Sequence, residues 1–237
     1  MRTISIVDVR IEYENHDYRT PLKFGGVVTD KVTLLNVYVR VKDSLGKEME
    51  GFGSMPMGNV WAFPTKNHSY NETLDAMKAL ATEIGAITKG YPDSAHPVDI
   101  NVALEPMYLE RAVKVQNERQ LLEPIPKLCT LVVASPFDAA VHDAYGKLFG
   151  ISSYQTYSAD YMPNDLSHYL DESFAGEYLQ QYVLTEPKPK MPLYHLVGAV
   201  DPLSEADIEK RKNDGLPETL PEWIRHDGLT HLKIKLN

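Results

Sequence analysis

His231-Leu232-Lys233-Ile234-Lys235-Leu236-Asn237 decides how the rest of the chain is read. Strand side chains alternate, so Lys233 and Lys235 point to one face and Leu232, Ile234 and Leu236 to the other. In an open antiparallel sheet such a pair is an ordinary solvated face. In a parallel barrel strand one face packs on helices and the other fills the interior, which puts both lysines at the reaction end. Two ammonium groups that close repel each other and burial adds to the penalty, so the pKa of one can fall toward neutrality, and a neutral lysine there is a general base.

The residues leading up to that segment favour the parallel arrangement. Leu193 to Val200 is a compact apolar strand candidate, Ser204 to Arg225 is a helical crossover broken at Gly215 and Pro217, and Thr230 to Leu236 is the returning strand. A strand, a crossover and a second strand imply a parallel pair. Glu186-Pro187-Lys188-Pro189-Lys190 closes a Tyr-rich stretch from 151 that lacks a clear period, and reads as an extended connector.

The front of the chain has a different grammar. Val7, Val9, Ile11 and Tyr13 alternate with Asp8, Arg10 and Glu12, and Leu35, Val37, Val39 and Val41 alternate with Asn36, Tyr38, Arg40 and Lys42. With a turn at Asp43-Ser44-Leu45-Gly46 and a short strand near Glu50 to Gly53, these make an antiparallel meander. Asn15 to Gly26 is a polar connection longer than a hairpin needs, and Ser54 to Pro64 is a loop rich in large apolar residues. Helices follow: one from Asn71 as N-cap, with Leu74, Met77, Ala81, Ile84 and Ile87 in register and Gly90 as stop; more over Asp99 to Gln120, interrupted by Pro106; and one with Ser135 as cap, Pro136 at the first position and Gly150 as stop.

Composition narrows the function classes. The 237 residues are 43% apolar, enough for a packed core, and the net charge of -9 comes without a Lys/Arg cluster, which argues against a nucleic-acid partner. Cys129 is the single cysteine, so neither an intrachain disulfide nor a cysteine-built zinc site is expected. No apolar run approaches the length of a membrane span and the N-terminus lacks a signal-peptide core, so a cytoplasmic protein is expected.

Lys233-Ile234-Lys235 resembles the Lys-x-Lys motif at the end of the second barrel strand in mandelate racemase-like and muconate-lactonizing-like members of the enolase superfamily. Ala134-Ser135-Pro136-Phe137-Asp138-Ala139-Ala140-Val141-His142-Asp143-Ala144-Tyr145-Gly146-Lys147 resembles the helix that leads from the capping domain toward the barrel in those families. The resemblance implies an α+β capping domain (a three-stranded antiparallel meander plus helices) over residues 1–150, a connector over 151–190, and the start of an α/β TIM-type barrel over 191–237, incomplete in this chain. It also implies abstraction of a proton alpha to a carboxylate, with the enediolate stabilised on a divalent metal, usually Mg2+. The substrate is then an acid sugar or similar small carboxylate, the enzyme a dehydratase, racemase or epimerase, and a homo-oligomer is compatible with the family.

On this resemblance Lys235 is the acid/base and Lys233 its pKa-lowering neighbour. The loops Asn15 to Gly26 and Gly51 to Pro64 take the places of those that close over the barrel mouth. Trp61 and Phe63, with Lys23 or Arg19 and with His195, are then the substrate-binding candidates. The alternative for Trp61 and Phe63 is that they anchor their loop to the core, and for His195 that it is a packed histidine. Asp138 and His142, four apart on one helix, are too few for a metal site and are expected as a capping Asp and an interhelix hydrogen bond. An eight-stranded barrel takes about 250 residues, so the expectation is a fragment of a protein of roughly 400, without the metal ligands of the later strands and inactive alone. The competing reading is a noncatalytic α+β binding or oligomerisation module.

Overall fold

The computed structural model describes residues 2–24, 26–184 and 186–235. Leu236 and Asn237 of the quoted strand, Gly25 of the first loop, Met1 and Thr185 lie outside the described residues. The chain forms two units: Met1–Asn15 with Thr33–Glu186, and His16–Val32 with Pro187–Asn237.

A three-stranded antiparallel sheet in the order β1-β2-β3 opens the fold, with β1 at Ser5–Phe24, β2 at Val27–Lys42 and β3 at Glu48–Pro56. The alternation of β2 holds as read: Leu35, Val37, Val39 and Val41 are fully buried. In β1 the buried side changes. Ile4 and Ile6 lie in the core, but so, in part, do Val9 and Ile11, so the inward positions pass from even to odd numbers. The expected long connection from Asn15 to Gly26 is instead mostly strand, since β1 continues to Phe24. Its polarity comes from a ribbon with little buried surface, which a search for buried alternation passes over.

In the first unit β2 and β3 pair with Val37 opposite Gly53 and Val39 opposite Gly51. Those two glycines open a track for a helix. A Cβ on Gly51 would stand 2.1 Å from the Ala140 carbonyl oxygen, and one on Gly53 2.0 Å from that of Pro136. The helix in that track is α4, Lys127–Phe149, which buries Cys129, Val133, Phe137, Val141, Tyr145 and Leu148 and keeps Ser135, Asp138 and Lys147 on an exposed side. The Phe52 N–H donates to Asp143 Oδ2 at 2.8 Å, fastening the strand's polar edge to the same helix.

Pro136 therefore does not begin a helix, and Ser135 does not cap one; both lie inside α4. The stop at Gly150 holds, with φ at 71°, a left-handed conformation that glycine adopts without strain. Pro106 likewise lies inside a continuous α3, Pro97–Glu118. Asp138, in mid-helix, accepts from Asn101 of α3 and pairs with His142 Nδ1 at 2.8 Å, so the interhelix bond is made by Asn101 and no cap is involved.

Helix α2, Tyr70–Lys89, is capped by Ser69 rather than Asn71. The Ser69 side chain accepts from Glu72 N, and the Glu72 carboxylate accepts from Ser69 N in return, a capping box worth about 1 kcal/mol. The expected loop after β3 holds a short helix α1, Asn59–Ala62, whose buried Asn59 donates to Tyr70 O and Thr73 Oγ1.

Residues 151–184 form four single 3-10 turns. His96 links this stretch to the helices: its Nδ1 accepts from Val98 N, capping α3, and its Nε2 faces Thr156 O at 3.2 Å. Burial pushes its pKa down to about 4, and the neutral ring packs edge-on against Tyr145.

The second unit holds a two-stranded parallel sheet, β4 (Tyr194–Val197) and β5 (His231–Ile234), not closed into a barrel. The crossover is less helical than the sequence suggests, with a 3-10 turn at Glu205–Asp207 and helix α5 only at Leu220–Asp227. Polar side chains take over the intervening backbone: Arg211 bridges Glu205 and Glu222, and Glu218 accepts from Lys212 N at 2.7 Å.

Candidate functional site

Parallel pairing sets which residues share a face of β4 and β5. Leu196 stands opposite Lys233 and Tyr194 opposite His231, whereas His195 is level with Leu232 and Val197 with Ile234. Residues level across a ladder point the same way, so Lys233 shares its face with Tyr194 and Leu196, while His195 and Val197 point to the other. Contacts agree: Lys233 Nζ lies 5.3 Å from the Tyr194 ring, and the His195 ring lies 5.4 Å from that of Trp223 on α5. The helix thus lies against His195 of β4 and leaves Leu232 and Ile234, on the same face of β5, exposed. His195 does not join the lysines.

Lys235 follows the last hydrogen-bonded residue of β5, and its own N–H donates to Val197 O at 3.0 Å, which extends the ladder by one rung. Its ammonium donates to the Lys23 carbonyl oxygen and stands 4.4 Å from the centre of the Phe24 ring. Lys23 thus meets Lys235 through its backbone. Lys235 is half-buried, and Lys233 is exposed.

Arg19 is engaged within the same unit. Its Nε and Nη2 donate to the two carboxylate oxygens of Asp214 at 2.6 and 2.8 Å, and Nη1 donates to Pro217 O at 3.0 Å. The guanidinium holds the Asp214 carboxyl well below the usual carboxylate range, as a bidentate pair does. A cavity of about 280 Å3 lies beside it, lined by Arg19, Pro21, His195, Val197, Leu220 and Trp223. The lysine pair does not line it.

Trp61 and Phe63 belong to the first unit. Phe63 is 2% exposed and sits in the core, while Trp61 is 44% exposed. Cys129 is fully buried, which pushes its thiol up to about 12 and leaves it no thiolate at neutral pH. Phe24, Asp214 and Trp223 had no distinguishing sequence signal. Phe24 fell in a stretch read as loop, and the other two in a crossover read as one broken helix.

No family model matches the chain, and no curated protein does. Among solved structures it is similar to an enolase from Bradyrhizobium complexed with magnesium and mandelic acid, at 21% identity over 65% of this chain and 34% of that one, with a TM-score of 0.36. It is also similar to a dipeptide epimerase from Methylococcus capsulatus complexed with Mg and a dipeptide, at 14% identity over 98% and 46%, TM-score 0.48. A third is an L-talarate/galactarate dehydratase from Salmonella typhimurium, at 15% identity over 65% and 33%, TM-score 0.35. All three identities lie below 25% and all three TM-scores below 0.5. The likeness singles out no subfamily, and the chain spans less than half the length of each of these three structures.

Among the described residues no group of three His, Cys, Asp or Glu side chains is gathered to hold a metal ion. The described donor set does not fit the divalent ion that the superfamily resemblance implies. No helix among the described residues is long and apolar enough to cross a membrane.

Proposed function

We propose that this chain acts by itself as a noncatalytic α+β binding and assembly module. The exposure of the parallel sheet carries the reading. Tyr194 is 61% exposed and Ile234 66%, and every described residue of β5 is exposed. Parallel sheets are ordinarily covered on both faces, and an unpaired apolar edge is a template for association. Sedimentation of the 237-residue chain over a concentration series tests this. Self-association abolished by Ile234→Lys is expected, and a wild-type chain that stays monomeric throughout would count against it.

The placement of Lys233 and Lys235 favours a second reading. They share the face of the sheet that α5 does not cover, which in a closed barrel is the interior. Set into such a barrel, Lys235 would take the proton alpha to the carboxylate of an acid sugar or similar substrate. Lys233 would help hold the carboxylate, and Mg2+ would be bound by residues of the completed barrel. Such an enzyme would be a dehydratase, racemase or epimerase of the enolase superfamily. In a polypeptide with the completed barrel, Lys235→Ala should abolish proton exchange from one face of the substrate, and wild-type exchange would refute the assignment.

A further inference from the structure

The β1–β2 ribbon tip and the end of β5 meet at one ammonium group. Lys235 Nζ donates to the Lys23 carbonyl and lies 4.4 Å from the Phe24 ring centre, within the range where a cation is attracted to an aromatic face. Lys233, two residues earlier on the same face, lies over the Tyr194 ring of the neighbouring strand, at 5.3 Å, and stays exposed. The two lysines are therefore held differently, and the difference comes from the ribbon. A carbonyl oxygen and a ring face are neutral partners, which orient an ammonium without the full charge compensation of a carboxylate.

We propose that Phe24 is a positioning residue for Lys235. Together with the Lys23 carbonyl it fixes the direction of the Lys235 side chain and shields its nitrogen until an anionic oxygen, a stronger partner for an ammonium, displaces the carbonyl. The importance of this contact for proton transfer rests on reading Lys235 as the acid/base; the contact itself does not.

Acetylation of the intact 237-residue chain by an N-hydroxysuccinimide ester, followed by peptide mass spectrometry, gives a rate for each lysine at one pH. Lys235 should react severalfold more slowly than Lys233. Phe24→Leu should raise the Lys235 rate severalfold while leaving Lys78 and Lys114 of the first unit unchanged, and Phe24→Tyr, which keeps the ring face, should restore protection. A Lys235 rate equal to that of Lys233, or one insensitive to Phe24→Leu in a chain whose other lysines react normally, would overturn the proposal. A rate that rises equally in Phe24→Tyr would also overturn it. Since no turnover is read, failure of the acid/base assignment would leave these rates unaffected.

Discussion

Gly53 on β3 sits so close to Pro136 on α4 that a Cβ built on the glycine would come within 2.0 Å of the proline carbonyl oxygen. The atom it would meet is backbone, in a helix whose buried side chains Val133, Phe137, Ala140 and Val141 hold it in the core, so neither partner can yield cheaply. Gly53→Ala should destabilise the first unit by more than about 3 kcal/mol, above the ordinary overpacking range. Gly58→Ala, where nothing stands within 4 Å of the added carbon, should change stability by less than about 1 kcal/mol. Urea unfolding of the two variants checks the contrast, and equal effects would mean that β3 and α4 do not approach as described.

His96 makes the first unit sensitive to acid. Its pKa is held at about 4 in the fold by burial and by His142, against 6.5 in the unfolded chain, with Asp99 and the Thr156 carbonyl acting the other way. As pH falls below about 6.5 the unfolded chain takes up the proton first, so stability declines until about pH 4 and then no longer changes on this account. The total loss is on the order of 3 kcal/mol, from the size of the shift. His96→Gln should flatten this part of the profile. A parallel decline in that variant would assign the acid sensitivity to other groups.

Phe63 and Trp61 stand two residues apart and have different surroundings. Phe63→Ala should cost about 3–5 kcal/mol, as expected for a buried aromatic ring, whereas Trp61→Ala should stay within about 1 kcal/mol. Thermal unfolding of both separates an anchor from an exposed ring. A large loss in Trp61→Ala would make it a second anchor and remove the physical basis for expecting it to meet a ligand.

Much of this was legible in the residues. The β2 alternation is strict and all four inward positions are buried. Gly90 and Gly150 stop their helices where they stand, and the parallel pairing of β4 with β5 follows from strand, crossover and strand. Proline misled where packing outweighs its local preference. Pro106 and Pro136 each remove one backbone donor, yet α3 and α4 run through them, because Leu104 and Tyr108 in α3 and Val133, Phe137 and Ala140 in α4 are buried and the lost bond is small beside that burial. The ribbon beyond Asn15 was missed because strands with little buried surface do not alternate in hydrophobicity. In the candidate site, alternation placed Lys233 and Lys235 on one strand end, but the pairing of Arg19 with Asp214 and of Lys235 with Phe24 joins residues some two hundred positions apart, which no local pattern records.

We propose that this chain acts as an assembly module and that proton abstraction is not its own activity. Proton NMR in D2O, with Mg2+ and a panel of acid sugars and other α-hydroxy carboxylates, measures washout of the α-proton directly. No washout above the protein-free rate is predicted for the 237-residue chain. Mg2+-dependent washout that disappears in Lys235→Ala would contradict the claim and make the chain an enzyme as it stands.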